Sequence, residues 1–468
     1  MVALLKEDSG IAMPVVVVII AVVTLLGFTS VVLMENQTSM GKRYEASESA
    51  LSIAEAGINE YLWHLNKDSR FYATPEGDDF VNDSGDPKEH EFQSGKYTLE
   101  ITEPTAADPT VKIKSTGWLK GDESSKCAVE VEVRKRRFVQ QIYLSGDEKR
   151  MNGDSVWWTT GDIVNGPFHT NGTLNIQGKP TFLDRVTYSN SIKLYDKNSE
   201  PDCRKGPPEK VEPLVFPSTN QQLKTQAKYN GYYFEGRTSI MLDGDSIKIR
   251  NKENSVQTIN DLKNGVIYVD GVVSDSTSKW NLSLGNAFVS GKLNGRLTIA
   301  ASNDIYITGY DPTILEWNVA KNNSTGGITY YDTTFDGQGN VASDGDDMLG
   351  LIADQYIRIL HYGWFNSYSD SVALKNITIH GALFALNKSY EFEKYDSGKF
   401  ETITLVGSIC QNRRGGVGTF SGNTNVSGYS NKDYTHDRRM SYDTPPHFLE
   451  PTNAGWEIVS WKRVTPSE

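Results

Sequence analysis

The chain has 468 residues and is acidic, because 59 Asp and Glu residues outnumber 47 Lys and Arg residues and leave a formal net charge of −12. This length is enough for two or three domains, and the negative charge argues against nucleic-acid binding, since contacts with phosphate need a basic surface. Cys127, Cys203 and Cys410 are too few and too far apart for a disulfide framework or a zinc site, and at most one disulfide can join them.

An apolar segment begins near the N-terminus. Residues 11–34 contain no charged side chain, and about 20 apolar residues in a helix are enough to cross the hydrocarbon layer of a membrane. A cleaved secretory signal has a shorter apolar region of about 7 to 15 residues, so we predict a transmembrane segment over 11–34. Pro14 falls in the first helical turn, where a missing N–H group is tolerated, and this indicates that the helix begins near Ile11. Residues 1–10 are too short to fold and are typical of a leader peptide.

The helix is predicted to continue beyond the apolar segment. Over residues 35–67 the apolar side chains recur at steps of three and four residues, which is the spacing of an amphipathic helix; they are Leu51, Ala54, Ile58, Tyr61, Leu62 and Leu65. One unbroken helix over 11–67 would be on the order of 80 Å long. Its first half would be apolar on all sides, and its second half would have one apolar face available to cover a globular domain.

The N-terminal segment resembles that of PilX-type minor pilins and related type IV pilin-like proteins. The resemblance covers roughly residues 1–70 and lies in a short leader that ends in Gly10, the apolar helix that follows, and "SALSIAEAGINEYLWHLN" about forty residues later. It implies that a prepilin peptidase cuts after Gly10 and that the new N-terminal residue, Ile11, is methylated. It also implies that the helix first anchors the subunit in the inner membrane and later packs with other pilins in a filament core.

The segment departs from the major-pilin pattern at two places. Major pilins have Glu at the fifth position of the mature chain, and that position is Val15 here. The leader is only weakly basic, because Lys6 is offset by Glu7 and Asp8, so the charge signal for orientation is poor. The missing carboxylate fits a minor or terminal subunit better than a bulk subunit, and an uncleaved signal anchor outside any pilus is the alternative.

A small sheet is predicted over residues 68–137. The beginning of this range, 68–91, is acidic and rich in turn-forming residues, which indicates a loop. Three segments with alternating apolar and polar residues follow: "GKYTLEITE", "TVKIKSTGWL" and "CAVEVEVRKRR". Alternation indicates antiparallel strands with one covered face, and the apolar face of the preceding helix is the expected cover.

Residues 138–468 are predicted to form one large β domain rich in Gly and Asn. Short apolar segments are separated by brief turns, a pattern that can build a coiled solenoid or a sandwich. We favour a solenoid, specifically a right-handed β-helix, because the pair Leu297/Ile299 recurs eight residues later as Ile305/Ile307. No strict internal repeat is present, so a β-sandwich is the alternative.

Most of residues 150–465 also resembles a domain of unknown function that often follows PilX-like N-termini. The resemblance lies in "GDIVNGPFHTNG", "LTIAASNDIYITG" and "GSICQNRRGGVGTF". It implies no known chemistry.

The sequence contains no G-x-S-x-G, H-E-x-x-H or phosphate-loop motif. Asp162, Asp270 and Asp304 could stack on adjacent coils as the carboxylates of a glycan-cleaving site, but Asp is also common in turns. His169, in "GPFHTNG", is interpreted as a turn residue. We therefore predict that the protein is not an enzyme and takes no cofactor.

One acidic loop could bind calcium, since its side chains supply the oxygen ligands that this ion takes. The ligands would be Asp332, Asp336, Asn340, Asp344, Asp346 and Asp347. The spacing and the closing Glu of an EF-hand are missing, so a solvated acidic loop without a metal is preferred.

Two groups of residues are candidates for contact with a surface glycan or a partner protein. The first is aromatic, since rings on a loop can stack on sugars or anchor a partner; it comprises Tyr362, Trp364, Phe365 and Tyr368. The second is Arg413 and Arg414 in "NRRGGVG", which could recognise an anionic group. For both groups the alternative is packing inside the domain, in the case of the arginines by pairing with acidic residues.

These observations predict a minor pilin-like subunit of a type IV pilus or a related pseudopilus. It would span the inner or cytoplasmic membrane once before assembly and then display its large head at the pilus or cell surface for assembly priming, tip capping or adhesion. The expected partners are the prepilin peptidase, other pilins and the membrane. The alternative is a membrane-anchored envelope scaffold or a glycan-acting β-helix protein outside any filament.

Overall fold

A computed structural model describes residues 12–68, 70–74, 87–105, 108, 110–315, 322–363, 371–421, 424–453 and 455–466. The described residues fall into two units: the first is drawn from Met1–Pro104, Thr110–Arg134 and Trp456–Glu468, and the second from Thr105–Pro109 and Lys135–Gly455. The predicted leader 1–10 and the residue that follows it, Ile11, lie outside the described residues.

The helices are α1 (Ala12–Lys67) and α2 (Gln221–Asn230), and short 3-10 helices lie at Phe71–Ala73, Phe138–Gln140 and Arg438–Ser441. The strands are β1 (His90–Phe92), β2 (Gly95–Thr102), β3 (Val111–Leu119), β4 (Asp122–Lys135), β5 (Tyr143–Asp147), β6 (Trp158–Thr159), β7 (Ile163–Val164), β8 (Phe168–Thr170), β9 (Thr173–Gln177), β10 (Thr181–Phe182), β11 (Val186–Tyr188), β12 (Ser191–Leu194), β13 (Asp202–Cys203), β14 (Glu209–Lys210), β15 (Tyr232–Glu235), β16 (Thr238–Gly244), β17 (Ser246–Asn251), β18 (Gln257–Ile259), β19 (Val266–Asp270), β20 (Ala287–Leu293), β21 (Arg296–Ala301), β22 (Ile305–Ile307), β23 (Gly327–Tyr330), β24 (Met348–Ala353), β25 (Ile357–Ile359), β26 (Asn376–Ala385), β27 (Tyr390–Phe392), β28 (Lys399–Arg413), β29 (Gly418–Ser421), β30 (Thr424–His436) and β31 (Trp456–Val464).

The long N-terminal helix is confirmed, and α1 divides into an exposed part and a packed part as its sequence predicts. From Ala50 onward, the side chains on one face are buried against β2 and β3; they include Ala50, Ile53, Ala54, Ile58, Tyr61 and Leu65. The helix backbone closely approaches Gly117 of β3, where an added Cβ atom would lie 2.5 Å from the backbone oxygen of Ala50. Only a residue without a side chain lets the helix and the sheet approach so closely.

The small antiparallel sheet is also confirmed, with the strand order β1-β2-β3-β4-β31. Its apolar side chains alternate along each strand and are buried under α1; they are Tyr97, Leu99, Val111, Ile113, Val129, Val131 and Val133. One face of the sheet is therefore covered by the helix, as the alternation indicated.

The C-terminal strand, β31, belongs to the first unit, whereas the predicted division placed all of 138–468 in one domain. Strand β31 lies beside β4 in the small sheet, where Lys462 pairs with Glu130 at 2.7 Å and Arg463 Nε donates to Cys127 Sγ at 3.1 Å. Trp456 Nε1 donates to a carbonyl oxygen of α1 at 2.8 Å. Because more than 300 residues separate β31 from β4, no local pattern reveals this pairing.

The second unit contains a large parallel sheet, so it is not the predicted alternative, a sandwich of antiparallel sheets. Its main strand ladder runs β15-β19-β21-β24-β26-β28-β5-β8-β11-β14. One row of side chains follows the ladder in register from strand to strand, and these residues are Tyr232, Ile267, Ile299, Leu351, Leu383, Ile409, Tyr143, Phe168 and Val186. Most of this row belongs to one hydrophobic core.

The order of strands in the ladder differs from their order in the chain. Strand β5 lies between β28 and β8, so the start of the unit pairs with a segment more than 260 residues later. Strands β14 and β15 are neighbours in sequence and lie at opposite ends of the ladder. Residues 211–231, which include α2, connect these ends and pack in a second core with the opposite side of the strands. The central strands are therefore covered on both faces.

Candidate functional site

The exposed part of α1 is the first candidate site. Large apolar side chains from Met13 to Met34 are between 40% and 78% exposed. In the part of the chain that the structure describes, α1 is the one helix that is long and apolar enough to cross a membrane, and an 18-residue window of it has a mean hydropathy of 2.9. Soluble proteins rarely expose an apolar surface of this extent, so the segment needs a membrane or other apolar partner.

The polar groups within this segment are satisfied by the helix itself. Thr24 Oγ1 donates to the Ile20 carbonyl oxygen at 2.6 Å, and Ser30 Oγ donates to the Leu26 carbonyl oxygen at 2.7 Å. In a hydrocarbon layer every polar group must find an internal partner, and hydroxyl groups do so by bonding to the preceding turn. Val15 is half-exposed. The segment can therefore enter a membrane or a bundle of similar helices without burying a charge.

Arg414 and Arg413 are neighbours in sequence with different environments. Arg414 is buried; its guanidinium pairs with Glu148 at 2.8 Å and lies 3.8 Å from the centre of the Trp158 ring. Arg413 is partly exposed and pairs with Asp147 at 2.9 Å. The structure thus pairs both arginines with acidic residues, one at the end of β5 and one just after it. Because Arg414 is buried, its side chain is not accessible to a partner.

Of the aromatic candidates, Tyr362 lies within the described residues, whereas Trp364, Phe365 and Tyr368 lie outside them. The Tyr362 ring stacks on His361 with 4.0 Å between ring centres, and its hydroxyl group is 3.0 Å from Ser397 Oγ. Tyr362 is therefore held by the domain itself, and its contact with a glycan or protein stays a prediction.

The three aspartates considered as glycan-cleaving carboxylates each have their own cationic partner. Asp162 pairs with Lys432 at 2.8 Å, and Asp270 pairs with Lys224 at 2.6 Å; the third pair is Asp304 with Arg358 at 2.6 Å. Arg358 also pairs with Glu391 at 2.8 Å. Burial raises the pKa of Asp304 and of Glu391, while the guanidinium between them opposes this shift. Each of these carboxylates is therefore engaged in an ion pair within the domain.

His169 was predicted as a turn residue, and this prediction is wrong. It lies in β8, where Nδ1 is 2.8 Å from Thr187 Oγ1 and Nε2 is 2.9 Å from Asn171 Oδ1. Burial lowers the pKa of His169 to about 4, so the imidazole is neutral at pH 7. The flanking Gly and Asn residues in the sequence indicated a turn, but they terminate a strand of three residues.

The acidic loop uses two of its carboxylates to hold its own backbone. Asp347 is fully buried and accepts N–H groups from Gly295 at 2.6 Å and from Asp332 and Thr333 at 2.8 Å. Asp336 accepts the N–H groups of the residues two and four positions later. Among the residues that the structure describes, no group of three or more His, Cys, Asp or Glu side chains is arranged to hold a metal ion.

The three cysteines are free thiols. Burial raises the pKa of Cys410 to about 12 and that of Cys203 to about 11. Because the thiolate is the reactive form of cysteine, these two thiols are poor nucleophiles at neutral pH.

Asp354 is expected to make stability depend on pH. Burial raises its pKa to about 6, above the usual value of 3.8, and its Oδ1 atom accepts no hydrogen bond from the described residues. A raised carboxyl pKa means that the folded state prefers the protonated form, so stability falls as pH rises from about 4 to above 6. Since the residue is only partly buried, solvent screens part of this effect, and we expect a loss of about 1–2 kcal/mol.

This expectation can be checked with Asp354→Asn, which is neutral at every pH. Urea unfolding at pH 4 and pH 7 should show that the variant loses less stability than the wild type over this interval. Asp396→Asn removes an exposed carboxyl group and should leave the wild-type pH dependence unchanged. Equal pH dependence in the wild type and Asp354→Asn would contradict the prediction.

Comparisons with known proteins give limited similarity. A family model described as a domain of unknown function (DUF4900) matches residues 110–192, whereas the sequence resemblance was expected over most of 150–465. Among solved structures, the chain is similar to the competence-associated pilin ComZ from Thermus thermophilus at 13% identity, with 90% of this chain and 97% of that chain covered and a TM-score of 0.29. No curated protein matches the chain. Similarity at this level assigns the chain neither a fold nor a function.

Proposed function

We propose that this protein is a minor pilin-like subunit of a type IV pilus or a related pseudopilus. The observation that carries the proposal is the two-part character of α1, which has an exposed, uncharged apolar segment up to Met34 and a packed segment from Ala50. A helix built this way can anchor a protein in a membrane and later exchange lipid for the apolar helices of other subunits. The small antiparallel sheet packs on the second segment and joins this part of the helix to a folded unit.

The N-terminal sequence supports the same role. Gly10 followed by Ile11 has the form of a prepilin peptidase site, and we propose that cleavage and methylation occur there. Val15 lacks the carboxylate of major pilins, which suits a subunit that primes or caps a filament. The subunit would therefore be anchored in the inner or cytoplasmic membrane first and reach the pilus or cell surface afterwards.

The second unit would serve as the extracytoplasmic head. We propose that its parallel ladder coils as a β-helix, supported by the row of side chains that stays in register through nine strands. We propose further that the head is not an enzyme, since Asp162, Asp304 and Glu391 are engaged in ion pairs. Its role would then be contact with other proteins or with surface glycans.

One observation favours a second candidate function. Because Val15 stands where major pilins have Glu, this chain lacks the charge that is thought to meet the N-terminal amine of a neighbour. A membrane-anchored envelope scaffold outside any filament, including a glycan-acting one, would need no such charge.

Processing distinguishes the two candidates. Co-expression with a prepilin peptidase should remove residues 1–10 from the wild type, and Gly10→Ala should block this removal, as measured by intact mass and N-terminal sequencing. Ser9→Ala alters the neighbouring position and serves as the control that should still be cleaved. If Met1 persists on the mature surface protein in cells that make the peptidase, the pilin proposal is wrong.

A further inference from the structure

A cavity of about 960 Å³ lies between α1 and the first residues of β4. It is lined from the helix by Val31, Met34, Glu35, Thr38, Ser39, Lys42, Arg43, Ala46 and Ser47, and from β4 by Asp122, Ser124, Ser125 and Lys126. We propose that this cavity binds the headgroup of an anionic phospholipid. This inference rests on the proposed function, specifically on the insertion of α1 into a membrane.

Along α1 the lining of the cavity changes from apolar to cationic, in the same order as a phospholipid changes from its acyl chains to its phosphate group. Val31 and Met34 belong to the end of the apolar segment, and hydroxyl groups follow at Thr38 and Ser39. The cationic Lys42 comes next, about 12 Å beyond Met34 at 1.5 Å per residue. The headgroup layer is several ångströms thick, and long cationic side chains reach back toward it. Acyl chains would therefore meet apolar side chains while the phosphate meets cations.

The opposite wall is the first part of β4, which follows a tight turn. Gly121 adopts a positive φ of 83°, which lets β3 and β4 connect through a tight turn. Asp122 accepts the Ser124 N–H group at 3.1 Å, and Ser125 Oγ donates to the Asp122 carbonyl oxygen at 2.7 Å. Because these bonds hold the first residues of β4, the Lys126 side chain starts from a defined backbone position at the cavity.

The charge of the lining favours an anion. Lys42, Arg43 and Lys126 outnumber Glu35 and Asp122, in a protein whose overall charge is −12. No ion pair joins Lys42 or Arg43 to a carboxylate within the described ranges, and the Asp122 carboxylate accepts hydrogen bonds from its own turn. Lys126 pairs loosely with the exposed Glu123, at 3.5 Å, and its ammonium group lies 5.3 Å from the centre of the Trp118 ring. Guanidinium and ammonium groups near a membrane surface attract anionic lipids and bond to their phosphate oxygens.

The test uses the full-length protein in a neutral detergent, with short-chain phosphatidylglycerol as the probe and native mass spectrometry as the readout. We expect phosphatidylglycerol to bind at least fivefold more tightly than phosphatidylcholine of the same chain length. Inorganic phosphate should bind at least tenfold more weakly than phosphatidylglycerol, because it lacks the chains that would contact Val31 and Met34. Equal binding of inorganic phosphate would show an anion site without lipid recognition and would overturn the proposal.

Variants distinguish this cavity from general attraction between the protein and anionic lipids. Arg43→Gln and Lys126→Gln should each weaken phosphatidylglycerol binding at least fivefold. Lys120→Gln removes the same charge from the turn just before β4, but its exposed side chain does not line the cavity, so we expect a change below twofold. Circular dichroism would verify that all three variants fold. Equal effects of the three substitutions would overturn the lipid-binding proposal. Failure of cleavage at Gly10 would contradict the pilin proposal alone, because lipid binding is measured on the uncleaved protein.

Discussion

Replacement of Arg414 by Met is expected to lower the free energy of unfolding of the second unit by about 3–5 kcal/mol. Glu148 is fully buried and has Arg414 as its cationic partner at 2.8 Å. Its remaining partners are Trp158 Nε1, at 3.0 Å, and the hydroxyl group of Ser145, and neither can neutralise a carboxylate. Removal of one member of a buried ion pair leaves an uncompensated charge, and this is costlier than the loss of the pair itself.

The adjacent arginine provides a matched control. Arg413→Met removes the same chemical group from a partly exposed pair with Asp147, and exposed pairs contribute less than about 1 kcal/mol. Urea unfolding followed by tryptophan fluorescence measures both variants, since Trp158 lies against Arg414. The double variant Glu148→Gln/Arg414→Met should recover part of the loss because neither charge remains. Equal losses from Arg414→Met and Arg413→Met would contradict this account.

The double substitution Val22→Arg/Leu25→Arg is expected to abolish stable membrane association of the full-length protein. Both side chains are exposed near the centre of the apolar segment. Each arginine at the centre of a membrane helix costs about 2.5–3.5 kcal/mol. Two such residues would weaken insertion by roughly three orders of magnitude or more, since 1.4 kcal/mol corresponds to a factor of ten.

The measurement is retention in carbonate-washed membranes. The control is Gln37→Arg/Met40→Arg, which adds the same two charges at the same spacing just beyond the apolar segment and should remain in the membrane fraction. If the central variant stays in washed membranes as well as the control does, α1 does not insert over this segment. The same variant should also be missing from purified filaments, since two charges would be buried among other helices.

The first unit was largely predictable because its signals are local. The apolar segment is recognisable from its composition alone, and the three-to-four-residue spacing from Leu51 to Leu65 and the alternation in β2, β3 and β4 report on contacts of one helix with one sheet. Strand β31 could not be found in this way. Its sequence alternates weakly, and its partner β4 is more than 300 residues distant.

For the second unit, the sequence predicted that the chain forms many short β-strands but not the order in which those strands pair. Strands such as β24 are buried at every position, because both faces are covered, and such strands lack the alternation that identifies a face. The pairing of Arg413 and Arg414 with acidic residues was considered from sequence. Their specific partners, Asp147 and Glu148, could not be identified, because the order of strands in space differs from the order in the chain.

The position of β5 also affects how the protein is made. Asp147 and Arg413 are aligned in neighbouring strands although 266 residues separate them. At a synthesis rate of 5–20 residues per second, β5 would be complete roughly 13 to 50 s before its partner emerges. During that interval its unpaired backbone edge is open to wrong partners. Mispairing of this edge is therefore a risk during synthesis until β28 has been translated.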